Sequence, residues 1–478
     1  MSAERGDATK PARTASMIAP SGGSFSLRIA VVVATTVALG LLLTLHAPGM
    51  NGPYYYKWAW RALPYADVLA ATAPGLAIFV AAQWLHAREG FHVGVPIAAM
   101  MLAVFVTASL ATSIEESRFG FDRMSRIIAN PISTGYYSDA ARLERSDDWL
   151  ATLTERPTRL TTHSMTKPPG PIAICRFLIF LFGASAPLAI AVSLTALATL
   201  IVPATYGMSR LLGADRGCAF AAASMTALMP GPVLISPTFD QLYPPLACGM
   251  VGCWIVSLDR QRAVYAAAFG AILAIATLLA YNVLVLGALL AAYTAIWVLS
   301  QPAQLVGATT PSQRATVAAA HGLIAFGVVA AWNAGLHIAS GFDPIATFRF
   351  ALSNQAYLLK LVPRPWPDTV LFDLTDFAMG VAWLPVGLAV VAARRRVASD
   401  DRVARIVLLV LAELVLVATT ALLPGETARV WMFLMPLVAF AAGVEVGTWR
   451  SDERLVAYGA MWLLLAVVCR NLAFSDPV

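Results

Sequence analysis

His163-Ser164-Met165-Thr166-Lys167-Pro168-Pro169-Gly170-Pro171 closes the longest polar stretch of the chain and returns it to apolar sequence at Ile172. Three prolines around one glycine leave a stiff backbone with few amide donors, which describes a turn of fixed geometry. Reading outward, residues 114–170 carry eight acids (Glu115, Glu116, Asp122, Asp139, Glu144, Asp147, Asp148, Glu155) and eight bases (Arg118, Arg123, Arg126, Arg142, Arg145, Arg156, Arg159, Lys167). Apolar runs of helical length flank this neutral but highly charged loop on both sides. A membrane protein with one large charged loop tends to keep its chemistry there.

Composition sets the class. With 59% hydrophobic residues, 13% charged residues and a mean hydropathy of +0.70, the 478-residue chain is far from a soluble globule. The expected fold class is an all-α polytopic membrane protein. About thirteen apolar runs approach the ~20 residues that cross ~30 Å of hydrocarbon. They are residues 27–45, 65–84, 93–113, 186–208, 217–236, 243–258, 264–280, 282–299, 316–337, 374–392, 405–423, 430–448 and 455–471. A disordered cytosolic tail is expected over residues 1–24, then a single integral membrane domain over 25–478. The first run is too long for the apolar part of a cleaved signal and reads as a signal anchor. Cys175, Cys218, Cys248, Cys253 and Cys469 lie in apolar segments without ligand spacing and read as core residues. The net charge of +6 resides largely in arginines beside helix ends, which speaks against nucleic acid as a partner.

Those arginines also give an orientation. With the N-terminus cytosolic, Arg88, Arg210, Arg216, Arg260, Arg262, Arg314, the cluster Arg394-Arg395-Arg396 with Arg402, and Arg450 and Arg454 all fall on the cytosolic side. This holds only if residues 171–183, about thirteen long, form a re-entrant or interfacial helix instead of a span. The extracytoplasmic face then gathers the large loop 114–185 with its amphipathic helices, a short loop around Asp240, a loop at 338–373, and the turn Pro424-Gly425-Glu426-Thr427-Ala428-Arg429. The cell location that follows is the plasma or inner membrane.

Glu115 and Glu116 sit where a helix leaves the membrane, so their carboxylates are candidates for partial desolvation, a raised pKa and work as a base. Capping the helix or pairing with Arg118 is the plainer alternative. Asp139 and Asp122 carry weaker versions of the same case, Asp139 within an amphipathic surface helix expected over 136–151. His163 and Lys167, four residues apart, can meet an anion, the imidazole as neutral donor or cation and the ammonium as a point charge. Glu426 and Arg429 are spaced i, i+3 and meet on one face, so the guanidinium is a preorganised fork for a phosphate oxygen or an ion pair anchoring the helix. Asp240 is a lone carboxylate in the proline-framed turn from Pro230 to Pro245 and needs a partner, either a polar substrate or an arginine of the large loop. Tyr54, Tyr55, Tyr56, Trp58 and Trp60 with Lys57 and Arg61 read as a membrane-belt anchor, with sugar stacking as the alternative.

Together these pieces resemble the type-C (GT-C) membrane glycosyltransferases, the superfamily of protein O-mannosyltransferases and lipid A aminoarabinose transferases. The carriers are Tyr136-Tyr137-Ser138-Asp139-Ala140, Asp148-Trp149-Leu150, His163 to Pro171, Phe182-Gly183, the turn ending in Asp240, and Gly425-Glu426-Thr427-Ala428-Arg429. They span residues 95–445, and His163-x-x-Thr166-x-Pro168-Pro169-Gly170-Pro171 is the most specific. The resemblance implies an inverting enzyme that moves a sugar from a polyprenyl-phosphate donor to a lipid, glycan or protein acceptor on the extracytoplasmic face. It also implies an acid in the first large loop. The position where that acid usually stands corresponds to Ser133-Thr134-Gly135, which has no carboxylate, so Glu115, Glu116, Asp122 or Asp139 must supply it. By this reading Glu115, Glu116 and Asp139 are catalytic candidates, and His163, Lys167, Arg118, Asp240, Glu426 and Arg429 are candidates for substrate binding. Some members of the superfamily use a divalent metal, and no ligand set is evident here.

Other classes remain open. A secondary transporter or a lipid or glycan flippase would place ionisable groups near the midplane and show half-to-half symmetry. Only Glu413 is mid-membrane, and no symmetry is visible in the sequence. A noncatalytic scaffold of the same fold is the third reading. The orientation is tested by a cysteine placed beside Arg395. It should resist an impermeant thiol reagent added to intact cells and react after permeabilisation, whereas labelling in intact cells inverts every loop assignment.

Overall fold

In a computed structural model, the residues described are 24–52, 57–88, 90–114, 120–143, 148–155, 160–300, 310–398 and 401–474. They are overwhelmingly helical. The one sheet is a two-residue antiparallel pair in which Ala59 faces Ala473 and Trp60 faces Leu472. The expected tail, apart from Ser24, lies outside these residues, as do Glu115, Glu116, Arg118 and the tyrosines 54–56.

Among the described residues, eight helical stretches are long and apolar enough to cross a membrane, or nine if one bent pair counts as a span. That makes the chain an integral membrane protein. Apolar surface left open along the spans is where lipid belongs: Leu323, Phe326 and Ile338 on helix Pro311–Ser340 are each more than two-thirds exposed. The count falls short of about thirteen because several apolar runs fold as short or broken helices. Run 217–236 divides into Arg216–Thr226 and Pro230–Leu234, as expected where Pro230 and Pro232 remove amide donors. Run 374–392 divides into Asp368–Gly380 and Leu384–Arg396, which meet at 105° around Ala382 and Trp383 at positive φ (64° and 56°). Ala263–Leu279 and Met432–Val446 are apolar but shorter than a span.

The loop region also differs from expectation. The helix expected over 136–151 runs only from Tyr136 to Arg142, because Leu143 turns extended and the chain goes on to bury Trp149 and Leu153. Those two join Met124, Ile128, Tyr136, Ile172, Cys175, Ile190 and Phe239 in a second apolar cluster, so the charged loop has its own core. Two helices were not anticipated, Asp122–Ala129 in the large loop and Pro344–Leu361 in the 338–373 region. Helix Gly170–Phe182 matches the short segment expected at 171–183. Its exposed Phe177, Phe180, Leu181 and Phe182 form an apolar end before the chain bends at Gly183.

Helices Arg216–Thr226 and Met435–Val446 approach closely. A Cβ on Gly443 would lie 2.7 Å from the Ala222 nitrogen, and one on Gly447 would lie 2.5 Å from the Cys218 Cα. Two glycines four residues apart make the small-residue seam through which membrane helices pack backbone to backbone. Gly443→Val should cost on the order of 1–3 kcal/mol by overpacking and lower the thermal midpoint in detergent. Gly459→Val, where a Cβ meets nothing within 4 Å, should leave it unchanged. Equal midpoints for the two variants would refute the seam.

Candidate functional site

Three segments distant in sequence converge at one end of the bundle: the turn 236–243, the stretch 161–171 and the turn 424–431. In the last of these, Glu426 precedes and Arg429 lies within a single helical turn, Thr427–Val430, and their i, i+3 spacing brings Arg429 Nη2 to 2.7 Å from Glu426 Oε2. Asp240 stands on the other side of the same guanidinium, with Oδ2 3.6 Å from Nε. All three side chains are largely buried, at 12–17% exposure, so the pairings are much less screened than a surface ion pair.

Glu426 lies in the left-handed region (φ 50°, ψ 35°), which costs a non-glycine residue on the order of 1 kcal/mol. The conformation is held by a set of buried hydrogen bonds from helix Asp368–Gly380. Asp373 Oδ1 accepts from the Gly425 amide (2.8 Å) and the Asp373 carbonyl from Thr427 Oγ1 (2.6 Å). Asp376 Oδ2 accepts from the Ala428 amide (3.0 Å) and Thr427 Oγ1 (3.2 Å). Trp58 Nε1 donates to Asp376 Oδ1 at 2.7 Å, and Asn282 Nδ2 donates to the Val430 carbonyl at 2.8 Å. Trp58 is therefore a buried support of the turn, 2% exposed, and not part of a membrane belt. Trp60 stacks on His46.

The 161–171 stretch also has a local reason for its sequence. Helix Gly170–Phe182 begins immediately after Pro168-Pro169, with Pro171 in its first turn, where a missing amide costs nothing. A Cβ on Gly170 would lie 2.2 Å from the Leu278 carbonyl oxygen, so only glycine lets this helix start against the end of Ala263–Leu279. His163, one turn upstream, lies 6.5 Å from the Tyr136 ring, centroid to centroid, and Tyr136 packs edge-on against Phe239, the neighbour of Asp240. Burial lowers the His163 pKa to about 4, the Arg429 charge adds to this and Asp240 opposes it, so the imidazole is neutral near pH 7. Burial also lowers the Lys167 pKa, opposed first by Asp240 and reinforced by Arg429. Tyr136 is pushed up by burial and then by Asp240, and remains a neutral hydroxyl donor.

The other sequence candidates fall elsewhere or lie outside the described residues. Asp139 is 2% exposed and accepts from the Thr161 amide (3.0 Å) and from Thr161 Oγ1 (2.7 Å), with Arg142 at 3.6 Å. Its carboxylate is taken up in fixing the chain two residues before His163. Asp122 pairs with Arg126 at 3.5 Å in the half-exposed first turn of its helix. Glu115, Glu116 and Arg118 lie outside the described residues, but the chain leading to them does not: Thr112 Oγ1 donates to the Ser236 carbonyl at 3.1 Å, four residues before Asp240. Arg123 Nη1 binds the Thr112 and Ile114 carbonyls and holds that helix end in place.

Tyr136, Tyr243, Asp373, Asp376 and Asn282 belong to the site region and were not assigned to it from sequence. Tyr243 is fully buried beside Asp240, and its hydroxyl has no hydrogen-bond partner among the described residues. Proline framing around Asp240 marked the neighbourhood of Tyr243, whereas nothing local marks Asp373 and Asp376 as ligands of a turn some fifty residues away. Among the described residues no three His, Cys, Asp or Glu side chains gather as a metal-binding set. The two carboxylates of the cluster face a guanidinium, so the described residues there are arranged around a cation of the protein itself and do not fit a metal.

No protein-family profile matches the sequence, and no curated protein matches it. Among solved structures it is similar to the Archaeoglobus fulgidus oligosaccharyltransferase in complex with zinc and sulfate, at 15% identity and a TM-score of 0.43 over 80% of this chain and 53% of that one. It is likewise similar to the apo form of that protein, at 11% identity and a TM-score of 0.41 over 79% of this chain and 56% of that one. The chain thus spans about half the length of these neighbours.

The neutral His163 has a measurable signature. Its pKa lies below the unfolded value of 6.5, so the folded state binds fewer protons between about pH 4 and 6.5, and stability falls as the pH drops through that window. His163→Gln should remove on the order of 2 kcal/mol of that acid-side loss. Thermal midpoints of wild type and variant at pH 7 and pH 4.5 check this, and an identical decline in both would show that His163 is not the group responsible.

Proposed function

We propose that this chain is a membrane glycosyltransferase that moves a sugar from a polyprenyl-phosphate donor to an acceptor on the extracytoplasmic face, with inversion. The observation that carries the proposal is the convergence of the Glu426–Arg429 pair, Asp240 and the His163–Lys167 stretch on one largely buried cluster. A sugar phosphate needs cations at its oxygens and a carboxylate for the attacking hydroxyl, and the cluster offers both.

In this reading the phosphate of the donor displaces the Asp240 and Glu426 carboxylates from part of the Arg429 fork and is also met by Lys167. Both cations stabilise the charge that builds on the leaving phosphate. No second carboxylic acid is required to protonate the leaving group, because phosphate departs as an anion. The anomeric carbon passes through an oxocarbenium-like state, and a carboxylate on the opposite side takes the proton of the acceptor hydroxyl. The base is drawn from Asp240, Glu115 and Glu116. His163 and Tyr136, both neutral, are placed to donate hydrogen bonds to sugar hydroxyls, and Arg118 is a further candidate for contact with the substrate. Asp373, Asp376 and Asn282 position the Arg429 turn.

Purified protein given a polyprenyl-phosphate sugar should release polyprenyl phosphate in the presence of an acceptor. Arg429→Lys should lower kcat/KM by about 100-fold, since a point charge does not replace a planar fork. One of Asp240→Asn, Glu115→Gln and Glu116→Gln should abolish release while still binding the carrier. Asp139→Asn should lower the thermal midpoint more than the rate. Carrier binding without release by wild type across a broad acceptor panel would count against catalysis and favour a transport or scaffold role.

A further inference from the structure

The opposite end of the molecule holds a cavity of about 760 Å³ that the proposed reaction does not use. Helix Gly94–Thr112 separates the two places: its last residue touches the turn that carries Asp240, while its first residues adjoin this cavity, about 28 Å away along 19 residues. The polar lining is basic, with Arg88 and His92 from the link between two helices, Arg210 and Arg216 from the ends of two others, and His86. Phe91 and Tyr206 supply an apolar wall.

Basic residues at helix ends are common in membrane proteins, so charge alone would mean little. Two further features set this cluster apart. Its guanidinia are held: Arg88 lies over the Trp84 ring at 3.6 Å, and Arg210 Nη1 donates to the Ala214 carbonyl at 2.7 Å. Asp215, next to Arg216 in the chain, is engaged in capping helix Arg216–Thr226, accepting from the Cys218 amide at 2.8 Å, and no described carboxylate lines the cavity. Glu89 lies outside the described residues. Half-exposed Trp84 and Phe91 beside the cavity are side chains suited to the bilayer interface, which places the opening at headgroup depth.

We propose that this cavity binds a phosphate-bearing anion, with Arg88, Arg210 and Arg216 as its cation set. Planar guanidinia lining one open-mouthed cavity suit phosphate oxygens, and the volume accommodates a glycerophosphate headgroup. The ligand is a lipid headgroup or a free phosphate ester, and the two are separable by experiment.

The full-length protein in detergent is mixed with dioleoyl phosphatidylglycerol or dioleoyl phosphatidylcholine and retained lipid is counted by native mass spectrometry. In parallel, sn-glycerol 3-phosphate is titrated calorimetrically. The variants are Arg210→Ala with Arg216→Ala, the milder Arg216→Gln, and Arg394→Ala as control. Arg394 is an exposed arginine at the same end, since its neighbour Arg395 pairs with Glu445 near the contact of Gly447 with Cys218. A lipid site retains phosphatidylglycerol over phosphatidylcholine at least about fivefold in wild type and Arg394→Ala, and loses that preference in the double variant, with Arg216→Gln between. A free-phosphate site shows no lipid preference but binds glycerol 3-phosphate in wild type and Arg394→Ala, and not in the double variant. Equal losses in Arg394→Ala and the double variant would mean a diffuse positive belt and would overturn the proposal. So would the absence of both ligands from wild type, or a loss confined to a double variant with a collapsed thermal midpoint while Arg216→Gln binds normally.

Discussion

A guanidinium between two carboxylates is the contact on which the rest of this site depends. Arg429 is largely buried, and a buried cation is tolerable only when paired and hydrogen-bonded. Glu426 and Asp240 give it that pairing from two parts of the chain, so the contact joins the turn after helix Arg402–Thr420 to the turn before helix Tyr243–Arg260. Removing either acid would leave the cation short of charge. An anionic ligand can take the place of a carboxylate without that penalty, so the arrangement suits an exchangeable anion.

The pair is positioned at a cost. Glu426 is held in a backbone conformation that a non-glycine residue seldom adopts, and five hydrogen bonds with Asp373, Asp376 and Asn282, four of them buried, fix the turn around it. Rigid placement of a charge-stabilising group before the ligand arrives is what makes such a group effective in a water-poor site. The second apolar cluster does the same for the other half. It seats Tyr136 against Phe239 and leaves the 161–171 stretch anchored by Asp139 on one side and by the close contact of Gly170 with Leu278 on the other.

Local chemistry was legible in the sequence and long-range support was not. The i, i+3 spacing foretold the contact of Glu426 with Arg429, and the isolation of Asp240 among prolines foretold that it needed a partner, although the arginine beside it comes from the 424–429 turn and not from the large loop. The prolines of 168–171 foretold a stiff turn, although the reason for Gly170 lies in a carbonyl of another helix that no local pattern reveals. Asp373 and Asp376 were invisible because one falls at the end of an expected loop and the other within an apolar run, and their partners lie some fifty residues away. The described residues do not reach the expected span count for a related reason. A hydropathy window measures how apolar a segment is but does not register where its helix breaks, as at 381–383 or between Thr226 and Pro230.

The small strand pair has a reach out of proportion to its size. It clamps residues 59–60 to 472–473, with Arg61 on the Cys469 carbonyl (2.6 Å) and Phe474 against the Trp58 ring (4.4 Å), and Trp58 is the residue that grips Asp376. A mechanical line therefore runs from Phe474 through the indole and the Asp376 carboxylate to the Ala428 amide and the guanidinium beside it. Anything that pries residues 472–474 loose, such as a protease cut or a bulky fusion, would slacken the turn from a distance while the membrane helices stay folded.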